Sequence, residues 1–254
     1  MPLAAKSAFD RFAALHVPGS PVVLFNIWDV GSAKAVVAAG AKALATGSHP
    51  VADANGWPDG EQVPIAFALA NATRIAAAVD VPLTVDFEGG YSVDPVADGV
   101  NVALLAATGA IGCNFEDQVI GGEGLHPLKL QAQRIAAIRK AVGTEFFINA
   151  RTDLFLKHKP ETHDAAMLDE AIERALGFAD AGASGFFAPR LGDLKLVEKL
   201  CRASPLPVNA IAFPGGPTRT QWASAGIARI SHGPFPHRAL MKQLEENARA
   251  AISG

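Results

Sequence analysis

The side chains best suited to chemistry are acids at the ends of apolar runs. Asp86 and Glu88 stand two positions apart in LTVDFEGG, where a β-branched run gives way to a turn through Gly89 and Gly90. Side chains alternate along a strand, so the two carboxylates share a side, and Glu116, closing the next run IGCNFE, would stand beside them. Like charges at a low-dielectric rim raise one another's pKa unless a cation intervenes. An all-oxygen set without cysteine or clustered histidine suits Mg²⁺, or Mn²⁺, better than zinc. Mg²⁺ keeps several waters, so the expected arrangement is one direct ligand, Asp86, with Glu88 and Glu116 acting largely through water. The plain alternative is a set of helix caps or solvated loop acids, but caps are rarely tripled at strand ends. Arg151 closes the run FFINAR, where its planar fork can hold a substrate carboxylate or phosphonate. Pairing with Asp153 or Glu116 is compatible with that role.

These residues need a frame. Eight strand-length apolar runs recur: 22–26, 41–46, 83–87, 111–116, 146–151, 185–189, 207–212 and 228–232. Between them lie Ala-rich amphipathic segments such as KLQAQRIAAIRKAV and LDEAIERALGFADAGA, several with a glycine where a left-handed C-cap is needed. Nearly continuous apolar strands fit a parallel sheet buried on both faces. Eight such units in 254 residues predict a (β/α)₈ barrel, and no linker divides the chain, so 1–254 reads as one domain. The phrases AAGAKALA, AATGAIGC and DAGASGFF repeat a helix end, a glycine and a strand. In such barrels chemistry sits at the C-terminal strand ends, and the polar residues gather there: Asn26, Thr46 to His49, Asp86 and Glu88, Asn114 and Glu116, Asn149 and Arg151, Arg190, Asn209, Ser231 and His232.

Composition narrows the partners. The chain is 50% apolar and 19% charged, and 25 acids against 22 bases leave a net charge of −3 with no long run of either sign, which points away from nucleic acid or an anionic membrane. The two cysteines, Cys113 and Cys201, read as buried thiols in a reducing compartment. No apolar run is long enough to span a bilayer, and the N-terminal MPLAAKSAFDRFAAL reads as a first helix, not a signal peptide, so a cytoplasmic protein is expected.

The strings FNIWD, ALATGS with GWPDG, TVDFEGGY, NFEDQ, FFINARTD and ARISHGP, in this order, resemble the isocitrate lyase/phosphoenolpyruvate mutase superfamily, most closely its short mutase-like members, from about residue 22 to 240. The resemblance implies a barrel whose last helix is exchanged between subunits of a homo-oligomer, a dimer or tetramer. It also implies a Mg²⁺-dependent site that binds a 2-oxo acid or its enolate and makes or breaks a C–C or C–P bond. By motif, Asp86 matches the direct metal ligand, with Glu88 and Glu116 the water-mediated ones. Asp59 in WPDG matches the acid near substrate and metal, Arg151 the arginine that holds the substrate's acidic group, and Gly47 and Ser48 the loop whose N–H groups meet the pyruvyl carboxylate. Asn209 joins the expected substrate-binding set from its strand end.

The loop after NFEDQ departs from the family. Where the lyase branches carry a cysteine-containing string, this chain reads VIGGEGLHPLK, with Gly124 near the cysteine position, and between Val119 and Leu125 it has neither the lysine nor the asparagine of the mutase branch. Glu123 and His126 are its candidate proton carriers, and the loop reads as a Gly-rich lid. The expected activity is cleavage of a small 2-oxo or 2-hydroxy acid through a pyruvate-type enolate, oxaloacetate decarboxylation being the simplest case. A phosphonopyruvate-type mutase or hydrolase, or a binding protein that has lost turnover, is the alternative. Schiff-base chemistry is not expected, because no run ends in lysine. The glycine-rich FPGGPT and SHGPFP segments offer an anion nest, with tight turns the simpler reading.

Overall fold

The computed structural model describes residues 3–253, with side chains from residue 8. The elements run α1 (Leu3–Ala13), β1 (Val22–Leu24), β2 (Asn26–Ile27), α2 (Val30–Ala38), β3 (Leu44–Thr46), α3 (Ser48–Asp53), α4 (Ile65–Ala78), β4 (Leu83–Asp86), α5 (Pro95–Ala107) and β5 (Gly112–Glu116). They continue α6 (Leu128–Val142), β6 (Phe147–Arg151), α7 (Ala165–Asp180), β7 (Gly185–Phe187), α8 (Leu194–Ala203), β8 (Val208–Ile211), α9 (Arg219–Ser224), β9 (Arg229–Ser231) and α10 (Phe235–Ser253). Every strand pairing is parallel, in the order β1-β9-β8-β7-β6-β5-β4-β3-β2. The sheet curls into a nearly closed (β/α)₈ barrel, as the strand and helix alternation predicts.

Nine strands arise from eight runs because 22–26 divides. Phe25 turns outward, 44% exposed, and packs on His232 with ring centroids 4.9 Å apart. Asn26 then stitches the seam: its Oδ1 accepts the N–H groups of His232 (2.7 Å) and Gly233 (2.8 Å), and its Nδ2 donates to the Thr46 carbonyl at 2.8 Å. A side chain thus supplies the hydrogen bonds that the broken ladder lacks.

The repeated phrase has a backbone cause. Gly40, Gly109 and Gly182 leave their helices at φ +95, +96 and +96°, a conformation costly for any residue with a Cβ, before each chain enters β3, β5 or β7. Outward strand residues such as Leu44, Val85, Cys113, Ile148, Phe186 and Ile230 pack with helix residues Ile75, Val102, Ile135, Leu168, Phe178 and Trp222 in the main core. A second cluster joins Phe12 of α1 to Leu24, Ala43, Ala45, Ile111 and Phe147, so α1 plugs the N-terminal mouth of the barrel. Each fully buried phenyl there contributes about 2–3 kcal/mol. His16, just past α1, stacks on Phe147 at 4.4 Å. Cys113 is buried and Cys201 half-buried, and both thiols are free. No helix among the described residues is long and apolar enough to cross a membrane.

Candidate active site

The C-terminal rim encloses a cavity of about 380 Å³ lined by Asn26, Gly47, Ser48, His49, Asp59, Asp86, Asn114, Arg151 and Ser231 on its polar side and by Leu156, Phe187, Ile211, Phe213 and Phe235 on its apolar side. Asp86 ends β4 pointing inward. Its Oδ2 accepts the Ser48 N–H at 3.2 Å and its Oδ1 the Asn114 amide at 3.3 Å, while the Thr46 hydroxyl accepts the Asp86 N–H at 3.0 Å. These long contacts leave lone pairs of a half-buried carboxylate facing the cavity. Asp59 stands at the mouth, where partial burial and then Asp86 raise its pKa.

Glu88 and Glu116 are more enclosed. Burial first, then Asp59 and Asp86, pushes Glu88 up to about 8. Burial also pushes Glu116 well up, against the pull of Arg151. The Arg151 guanidinium is gripped by Asp153, with Nε at 2.5 Å and Nη2 at 2.9 Å, and by Glu116, with Nη1 at 2.8 Å. That uses three of its five N–H donors and fixes the plane, leaving two for a ligand. The carboxyl oxygens of Glu116 meet Arg151 and the Gln118 amide, and Glu88 Oε2 accepts the Glu61 N–H at 2.7 Å. Among the described residues no group of three His, Cys, Asp or Glu side chains forms a ready-made cage. The donor set fits an ion that takes one direct carboxylate and fills its sphere with water, as Mg²⁺ does.

Raised carboxyl pKa values carry a sign. Between the ordinary carboxylate range and about 8, the folded chain still holds a proton on Glu88 that the unfolded chain has released, so stability falls as pH rises through that window. Thermal melts of the metal-free protein are expected to show a lower midpoint at pH 8 than at pH 5.5. A midpoint that rises with pH would refute the crowding.

The sequence expectations divide here. Gly47, Ser48, Asp59, Asp86 and Arg151 line the cavity, and Glu88 and Glu116 stand against it. Glu123, His126 and Asn209 are not brought to it. The loop folds back on itself through Gln118–Leu125 pairing and a Val119 N–H to Gly124 carbonyl bond of 3.1 Å, which leaves Glu123 exposed and outside the cavity lining. His126 is buried behind β5, its N–H on the Asp117 carbonyl at 2.7 Å and its own carbonyl taken by Arg174 at 3.2 Å. Asn209 lies deeper in the barrel and donates to Ser231 at 3.2 Å, and it is Ser231 that reaches the cavity.

Two residues that sequence reasoning missed hold the rim loops. Glu61 presents Oε1 to the Tyr91 N–H at 2.7 Å while its own N–H binds Glu88, so the loops carrying Asp59 and Glu88 clasp each other. Glu61, Glu88 and Tyr91 all sit at positive φ, and a Cβ at Gly89 would lie 3.0 Å from Glu61 Oε1, so only glycine admits the clasp without displacement. Arg134 secures the other side: it pairs with Asp98 at 2.7 Å and donates to the carbonyls of Ser92 (2.7 Å) and Gly89. Glu61→Ala is expected to expose the Tyr91 amide to hydrogen exchange, and Glu61→Gln, which keeps an acceptor, to protect it; equal protection in both variants would dismiss the clasp.

A family model described as phosphoenolpyruvate phosphomutase matches residues 12–252. An uncharacterized protein of Mycobacterium tuberculosis is 36% identical over 244 residues, covering 96% of this chain and 89% of that one. A crystal structure from Burkholderia cenocepacia, provisionally assigned as a phosphonomutase, is 44% identical, spans 97% of this chain and 99% of its own, and superposes with a TM-score of 0.95. The structure of phosphonopyruvate hydrolase in complex with oxalate and Mg²⁺, 19% identical over 97% of this chain and 88% of its own, shares the fold at a TM-score of 0.84.

Proposed function

Since the chain belongs to the phosphoenolpyruvate phosphomutase family, we propose that it is a Mg²⁺-dependent lyase of small 2-oxo acids, with oxaloacetate decarboxylation the reaction its cavity suits best. The observation that carries the reading is Asp86: a strand-end carboxylate with free lone pairs facing a cavity, ringed by acids whose raised proton affinity a divalent cation would relieve. Asp86 would hold Mg²⁺ directly, with Glu88 and Glu116 reaching it through water. When bound, the ion polarises the 2-oxo and carboxylate oxygens of the substrate and stabilises the charge that develops on cleavage.

The chain's own residues do the rest. Arg151, locked by Asp153 and Glu116, aims its two remaining N–H donors at the acidic group of the substrate. The Gly47–Ser48 turn lines the cavity, but its N–H groups, expected to meet a substrate carboxylate, are given to the Ile27 carbonyl at 3.1 Å and to Asp86 at 3.2 Å, so the turn acts by holding Asp86; Asp59 at the mouth accepts hydrogen bonds from the ligand or its waters. Decarboxylation moves the C3–C4 electron pair into the C2–C3 bond and the carbonyl pair onto the C2 oxygen as CO₂ departs, and C3 then takes a proton from solvent water as the carbonyl re-forms. Because CO₂ leaves without needing a proton, this reaction requires no acid from the lid, which fits a loop whose Glu123 is exposed and absent from the cavity lining. The side chains of Leu156, Phe187 and Phe213 form the apolar side of the space in which the carbanion would develop.

A panel of oxaloacetate, phosphonopyruvate and alkylmalates, assayed for pyruvate or other 2-oxo acid release with and without Mg²⁺, tests the reading. Mg²⁺-dependent turnover of oxaloacetate is expected. Turnover of phosphonopyruvate alone would move the assignment to C–P cleavage, and tight oxalate binding without turnover of any would mark a binding protein. Added Mg²⁺ is also expected to raise the melting midpoint more at pH 8 than at pH 5.5, where protons compete for the same acids. We further propose that α10, with Leu240, Met241, Leu244 and Ile252 exposed along it, packs on another copy of the chain in a dimer or tetramer.

A further inference from the structure

Arg229 occupies an unusual position. It points inward from β9, is 1% exposed, and among the described residues forms no ion pair. Its single hydrogen bond runs from Nη2 to Asn114 Oδ1 at 3.2 Å, leaving Nε and Nη1 without partners. The other deeply buried arginines each meet a carboxylate: Arg134 at Asp98 (2.7 Å), Arg151 at Glu116 (2.8 Å) and Arg174 at Asp117 (3.1 Å). An uncompensated buried cation is costly, so something in the barrel must offset it. Burial lowers Arg229 to about 9, and Asp86 is the main charge working against that, so the guanidinium remains charged at neutral pH. Below it, His16 is held neutral, at about 3, by burial and then by Arg229 itself, with its Nδ1 on the Phe12 carbonyl at 2.9 Å. The acids therefore lie on the cavity side.

Asn114 is the link. Its Oδ1 accepts from both Arg229 and the Asn149 amide (2.8 Å), so its own NH₂ must face the other way, where it donates to Asp86 Oδ1. We propose that Arg229 sets the charge preference of the site: Asn149, the nearer donor to Asn114 Oδ1, holds the amide that orients Asp86, while the buried charge of Arg229 just beyond that amide favours an anionic ligand in the cavity at the expense of the divalent cation. The assignment rests on the reading of Asp86 as the cation-binding carboxylate. A fixed positive charge beneath a site raises anion affinity and lowers cation affinity, and the barrel interior screens it far less than water does. Arg229 would thus weaken Mg²⁺ binding while strengthening that of a dianionic 2-oxo acid. A residue that merely filled space would act on both in the same direction.

Calorimetry separates the two roles. Mg²⁺ is titrated into the metal-free protein and oxalate, a dianion of the right size, into the Mg²⁺-loaded protein, for wild type, Arg229→Met and Arg229→Lys. In Arg229→Met, Mg²⁺ binding is expected to tighten by about 3- to 10-fold and oxalate binding to weaken by about 10-fold or more, opposite signs that follow from removing one buried charge. Arg229→Lys, whose ammonium gives up its proton far more readily when buried, is expected to move both affinities in the same directions as methionine but by smaller factors. If the methionine variant does not fold, Arg229→Gln, which removes the charge but keeps hydrogen-bonding atoms, is read by the same criterion. The proposal is overturned if both affinities fall together or neither changes in the neutral variant, or if lysine moves either affinity in the direction opposite to methionine. A wild type that takes up no Mg²⁺ overturns the reading of Asp86, and this inference with it.

Discussion

Asp86→Asn should abolish Mg²⁺-dependent turnover, with kcat/KM at least about 10³-fold down, because removing the direct carboxylate forfeits several kcal/mol of charge stabilisation. The fold should survive. The substitution keeps an oxygen that can accept the Ser48 N–H, and the bond it loses, from the Asn114 NH₂, is already long at 3.3 Å. It also withdraws one negative charge from a neighbourhood where Asp86 adds to the raised pKa of both Asp59 and Glu88, so the metal-free variant should melt no lower than wild type. Steady-state kinetics beside a thermal melt separate the outcomes. Retained activity would remove Asp86 from the metal, and lost activity with a lower melting midpoint would mean a structural residue.

The largest stability effect is expected at Arg134→Met, away from the reacting groups. Arg134 lies within α6, and its guanidinium pairs with Asp98, donates to Gln131 Oε1 at 2.8 Å and to the carbonyls of Gly89 and Ser92, and stacks 4.7 Å over Phe115. Removing it leaves Asp98, wholly buried, without its partner. Breaking a buried pair from one side costs about 3–5 kcal/mol. For a chain of this size that is a fall of about 10 °C in melting midpoint. Asp98 sits at about 6 even in the intact pair because burial opposes its charge. A carboxyl with a raised folded-state pKa loses stability as pH climbs, so the deficit should be greater at pH 8 than at pH 5. Asp98→Asn added to Arg134→Met should restore part of the loss; no recovery would place the cost in packing over Phe115 instead of charge.

Much of this arrangement was legible in the sequence, and the exceptions have physical causes. The barrel could be read because its strands are apolar on both faces and each glycine ending a helix is demanded by a left-handed turn. Asp86 and Arg151 could be read because a period of two fixes which residues at a strand end face inward. The break at Phe25 could not, since it depends on Asn26 bonding to His232 and Gly233, far along the chain. Glu123 and His126 were drawn toward the site by loop composition, whereas the backbone pairing of Gln118 with Leu125 decides where they point. Arg134 looks like any cation in an amphipathic helix until Asp98, 36 positions away, is placed against it. Arg229 did leave a trace, as the single charge at an inward position of the ARIS run, but its lack of an acid partner is visible only in three dimensions.

The central claim is that a strand-end carboxylate holds a divalent ion against a small 2-oxo acid. Its most direct test is a crystal grown with Mn²⁺ and oxalate and measured by anomalous scattering. A peak in direct contact with the Asp86 carboxylate, with oxalate spanning from it toward Arg151, is the predicted result. An ion bound elsewhere, or oxalate bound with no ion at Asp86, would contradict it.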